Sequence, residues 1–121
     1  MIRASLASIP ARRDSLRRVV ESLLPQVDRL GVYLNGYGDV PEFLADDRID
    51  VARSEDHGDL GDAGKMFWAA EPGVDYHLAC DDDILYPADY VARMVAEVDR
   101  YGRRALVGCH GALMHDRPRA L

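Results

Sequence analysis

Three aspartates in a row, Asp81, Asp82 and Asp83, close the apolar run of Tyr76, Leu78, Ala79 and Cys80 in the stretch DYHLACDDDILYP. Carboxylates this close repel one another and raise each other's pKa values unless something positive stands among them. The chemistry that uses such a cluster most directly is coordination of a hard divalent cation, Mn2+ or Mg2+, by oxygen ligands. Such ions keep several waters, take one or two protein carboxylates, and complete the shell with phosphate oxygens of a ligand. The triplet therefore points to a metal, and the metal to a phosphorylated ligand. The alternative is a solvated turn whose charges suit the N-terminus of the helix that follows. Neighbouring loops rich in Gly and Asp, carrying Asp56, Asp59 and Asp62, favour the metal.

The residues around the triplet must be positioned by alternating elements. Apolar patterning predicts strands over 2–9, 30–35, 48–53, 75–80 and 105–109. Leu16, Val19, Val20, Leu23 and Leu24 recur at helical spacing, predicting a helix over 14–27 with Asp14 as its N-cap. VPEFLADD predicts one or two helical turns with Pro41 near the start, 54–62 a loop, and 63–71 a helix. A further helix runs over 87–102, with Pro87 at N1, Gly102 as the C-terminal cap, and Tyr90, Val91, Met94, Val95 and Val98 on the buried face. Strands alternating with helices predict an α/β fold, a mostly parallel sheet with helices on both faces. In such sheets ligands bind outside the carboxyl ends of the strands. Ser8, Pro10 and Arg12 follow strand one, Asn35 strand two, Asp59 and Asp62 strand three, and the triplet strand four.

Composition sets outer bounds. The chain has 121 residues, 48% of them hydrophobic, and a net charge of -6, which suits one domain with a real core. No apolar run approaches the roughly 20 residues of a membrane span, and the N-terminal apolar stretch is too short for a signal peptide. Cys80 and Cys109 lack a framework spacing and read as reduced core thiols of a cytoplasmic protein, a disulfide between strands being the alternative. The acidic balance argues against a nucleic-acid partner.

ACDDDILYPADYV resembles the Asp-X-Asp segment of family 2 glycosyltransferases with the GT-A fold. The likeness extends through EDHGDLGDAGKMFW, ASIPARRDSLRRVVESLLPQ and VYLNGYGDVPEFL, in order, over nearly the whole chain. It implies a Rossmann-like domain binding a UDP-sugar donor for transfer to an acceptor hydroxyl. It also implies that Asp81 reaches the ribose and shares the metal, that Asp83 ligates it, and that Asp82 is the variable middle position. Asp59, or Asp62 in reserve, would read the uracil. Ser8, Ile9 and Pro10 would cradle the nucleotide, with Arg12 or Arg13 near base or phosphates. Lys65, the only lysine, would offset the aspartates or meet the ligand. Asn35 departs from the family, where an Asp is common on strand two. The carboxylate base expected downstream is not matched, so no catalytic residue is assigned, and His110 and His115 read as structural rather than as late metal ligands. The chain resembles the donor half of a longer enzyme, which raises two expectations. It would self-associate, as a dimer, through apolar residues after Gly102 (Leu106, Val107, Leu113, Met114), and it would transfer little sugar alone. Two rival readings are a nucleotide-sugar-binding module without turnover and a nucleotidyltransferase. The latter would carry a Gly-rich basic loop after strand one, which SIPARRD lacks.

Overall fold

The computed structural model describes residues 1–109. Four strands, β1 (Ile2–Ser8), β2 (Arg29–Leu34), β3 (Ile49–Arg53) and β4 (Tyr76–Ala79), form one sheet in the order β3-β2-β1-β4. Every pairing is parallel, with Leu6 opposite Val32, Ala4 opposite Leu78 and Leu34 opposite Arg53. The helices are α1 (Arg13–Leu23), the single turn α2 (Ser54–His57) and α3 (Tyr90–Arg100). Short 3-10 segments cover Pro10–Arg12, Leu24–Gln26, Glu42–Leu44 and Gly61–Met66. The α/β class with a parallel sheet is thus as expected.

Strand alternation sorts the two faces. Leu6, Leu30, Val32 and Leu34 point to one side, where Leu16, Val19 and Leu23 of α1 and Val91 of α3 join them in the main core. Each fully buried Leu there stabilises by about 1.5–3 kcal/mol relative to exposure. Gln26 ties the two helices together: its Nε2 donates to Pro87 O at 2.9 Å and its Oε1 accepts from Val91 N at 3.0 Å. The opposite face carries a smaller cluster of Ala7, Tyr33 and Ala52, capped by Trp68. Gly31 is required there, because a Cβ on it would stand 2.5 Å from Trp68 Cε3. Arg3 is fully buried on this face, with Nη2 2.8 Å from Asp50 Oδ2, and Arg29 shares that carboxylate.

Several boundaries differ from the sequence reading. The first helix begins earlier, because the 3-10 turn at Pro10 feeds straight into it. Asp14 therefore lies in its first turn and makes no capping bond. Pro25 converts its end to 3-10 geometry. Part of the expected loop after β3 is the turn α2. The expected helix over 63–71 is instead the 3-10 segment Gly61–Met66 followed by turns. Gly61 has φ +54°, and Gly64 lies so close to the Tyr33 ring that a Cβ would meet it at 2.7 Å. The third helix starts at Tyr90, with Pro87 in the turn before it, while Gly102 at φ +65° does terminate it.

The fifth strand is not formed. Residues 105–109 pair with no other strand, Leu106 is wholly exposed, and Cys109 is exposed rather than in the core. β4 is an outer strand with an open edge, but after Gly102 and Arg103, both at positive φ, this segment makes no ladder with it. Leu113, Met114, His110 and His115 lie outside the described residues. Both cysteines are free thiols. Among the described residues no helix is long and apolar enough to cross a membrane.

Candidate functional site

The chain leaves β1 through α1 to β2 on one side, then passes from β3 across to β4 on the other side of β1. Connections diverge between β1 and β4, which makes this the topological switch point where open α/β sheets form a crevice. A cleft of about 190 Å³ opens there, at the carboxyl ends of β1 and β2. Its walls include Ser8, Arg12, Asn35, Gly61, Asp62 and Asp82.

The aspartate triplet meets its positive partners in the protein itself. Arg12 Nη1 lies 3.2 Å from Asp82 Oδ1 and 2.6 Å from Asp83 Oδ2. Lys65 Nζ bridges Asp81 and Asp62, at 2.9 Å from each. The Asp83 hydrogen bond and charge, and then the charge of Asp82, push the Arg12 pKa up. Desolvation lowers that of Lys65, but bonds to Asp62 and Asp81 more than offset it and the net shift is upward. Four carboxylates against two cations leave two uncompensated negative charges at the cleft mouth.

Neighbouring aspartates point different ways. Asp82 is buried and lines the cleft. Asp81 turns toward Lys65, and Asp83 borders a second, smaller depression with Ser15 and Leu85 beside α1. Among the described residues no three Asp, Glu, His or Cys side chains converge as a ready-made cation cage. A hard divalent ion takes one or two carboxylates and fills its shell with water and phosphate, and the oxygens of Asp82 and Asp83 that meet at Arg12 Nη1 are donors of that type.

Ser8 lies buried at the end of β1, its Oγ 2.9 Å from the hydroxyl of Tyr37, which donates in turn to Ile9 O at 2.9 Å. The Ile9 carbonyl also accepts from Arg12 N at 2.9 Å, so it is doubly occupied and braces the turn beginning at Pro10. Asn35 is buried and its amide is spent on the opposite wall, where it holds Leu60 and Gly61. Asp59 Oδ1 accepts from Gly61 N at 2.8 Å in a local turn, and Asp62 rather than Asp59 lines the cleft. Arg13 turns away to Asp39.

Two tyrosines escaped the sequence reading. Tyr37 locks the exit of β1, and Tyr86 accepts a hydrogen bond from Asp81 N at 2.9 Å, fixing the backbone of the triplet. Burial raises the pKa of both, so each stays a neutral hydroxyl. The signal available was a tyrosine just beyond a strand end, a ring for the core with a hydroxyl for the backbone. Cys80, beside the triplet, is buried, and that burial pushes its thiol up to about 12.

No protein-family model matches this sequence, and no curated protein matches it.

Proposed function

We propose that the chain is the donor-binding domain of a metal-dependent glycosyltransferase of GT-A type, holding a UDP-sugar for transfer to an acceptor hydroxyl. The observation that supports this reading is the pairing of Arg12 with the buried Asp82 in the cleft at the carboxyl ends of β1 and β2, which Asp82 enters from beyond β4. A cation and a carboxylate at a switch-point crevice suit a ligand that combines a diphosphate with a bound divalent ion. The divalent ion, Mn2+ or Mg2+, would be held by the triplet, with Asp83 and Asp81 reaching solvent and Asp82 inside the cleft. Bound there, it supplies neutralisation of the charge that develops on the departing diphosphate. The Ser8 exit and the Pro10 turn form the floor, Arg12 faces the phosphates, and Asp62 stands on the rim that Asn35 holds in place.

Isothermal titration with UDP, with and without Mn2+, run beside a sugar-transfer assay, tests the reading. Metal-dependent UDP binding supports it, and transfer onto an added acceptor identifies an enzyme. Binding without transfer identifies a nucleotide-sugar-binding module. No UDP binding in either condition would overturn the proposal.

A further inference from the structure

The closest contacts of Arg12 to Asp82 and to Asp83 both come from one nitrogen, Nη1. A guanidinium has five N–H donors in a planar fork. Among the described residues Nε and Nη2 of Arg12 have no hydrogen-bond partner, and the side chain is 45% exposed. Arg12 thus holds two carboxylates with a fraction of its capacity and keeps an edge shaped for bidentate contact with an oxyanion.

Its partners are unequal. Asp82 is enclosed, its side chain 11% exposed, while Asp83 is 49% exposed. A divalent cation approaching these carboxylates meets Arg12 as a like charge already in place. A phosphate approaching Arg12 meets the carboxylates in the same way. Each ligand alone is opposed by one half of the pair, and the two together satisfy both halves.

We infer that Arg12 is a partner-exchanging latch: it closes on Asp82 and Asp83 in the free protein, and turns its fork to a phosphate of the incoming diphosphate when a divalent cation takes those carboxylates. This rests on the proposed donor-binding role of the cleft. It makes cation and nucleotide binding mutually reinforcing, and it gives Arg12 opposite effects on the two.

The experiment measures Mn2+ alone, and then UDP in saturating Mn2+, on the wild-type chain, Arg12→Gln and Arg12→Lys. In Arg12→Gln the cation should bind about thirtyfold more tightly, the effect of removing one unit charge ~4 Å from a doubly charged ion in solvent-like surroundings. The same variant should bind UDP about tenfold more weakly, through loss of charge-assisted hydrogen bonds. Arg12→Lys keeps the charge without the fork, so its Mn2+ affinity should stay near wild type while UDP weakens. Opposite shifts in Arg12→Gln support the latch. Unchanged or weaker Mn2+ binding in Arg12→Gln overturns it, as does unchanged UDP binding, and in either case wild-type UDP binding leaves the donor-site reading standing. A wild-type chain that binds neither probe overturns both.

Discussion

Asn35 joins the end of β2 to the far wall of the cleft: its Nδ2 donates to the Gly61 carbonyl at 2.9 Å, and its Oδ1 accepts from Leu60 N at 3.1 Å. Both ends of one amide engage one turn, so the residue braces the wall of the cleft that it also lines.

Asn35→Ala should therefore cost about 1–3 kcal/mol, because Leu60 N loses its part-buried acceptor and Gly61 O its donor. Asn35→Asp should be at least as damaging, since it replaces a donor facing Gly61 O with a second acceptor. Urea unfolding checks both. A loss below about 0.5 kcal/mol in both variants would refute the brace.

Asp83 is half-exposed, and its ion pair with Arg12 contributes little to folding in the free protein. Asp83→Asn should leave the thermal midpoint without metal nearly unchanged and abolish Mn2+-dependent UDP binding. Retention of wild-type affinity in the presence of Mn2+ would remove Asp83 from the metal site.

A carboxylate can accept the N3–H of uracil, whereas N3 of cytosine carries no proton. Asp62 lines the cleft, and Asp59 is turned onto Gly61 N. Asp62→Ala should narrow the UDP-over-CDP difference more than Asp59→Ala does. Titration of both nucleotides against both variants decides the matter, and an unchanged ratio in both eliminates base reading by this loop.

His77 pairs its Nε2 with Ser5 Oγ at 3.0 Å on the sheet face that also holds Arg3. Desolvation, and then the Arg3 charge, lower its pKa, while Glu71 opposes them. A histidine with a depressed folded pKa contributes stability above its unfolded value near 6.5, and that stability is lost as pH falls through the folded value. His77→Gln should flatten the decline in unfolding free energy just below pH 6.5. A decline as steep as in the wild type would show that His77 carries none of it.

Gly31→Ala should destabilise by about 1–3 kcal/mol, because its methyl would meet Trp68 at 2.5 Å. Adding Trp68→Ala should bring the combined cost below the sum of the two single costs. Strict additivity would show that the ring does not rest on that glycine.

Residue type and local spacing were enough to place the four strands found here, the first and third helices, and the aspartate triplet at a strand end. Those features depend on alternation, helical periodicity and capping, which act within a few residues. Ser8, Arg12 and Asp62 were likewise legible as residues beyond strand ends. Spacing could not say that residues 105–109 would form no strand, because a strand is defined by its neighbour and not by its own side chains. Nor could it say that Gly64 packs beneath Tyr33 and turns an expected helix into 3-10 geometry. The pairing of Arg12 with the triplet was beyond it too. Arg12 and Asp82 are 70 positions apart, and they meet because the parallel register that sets Ser5 beside Ala79 brings the exits of β1 and β4 together. The sequence determined that carboxylates would stand at the end of β4. Only the tertiary structure decided that Arg12 would stand among them beside Lys65, because Coulomb attraction acts over a few ångströms of space and takes no account of distance along the chain.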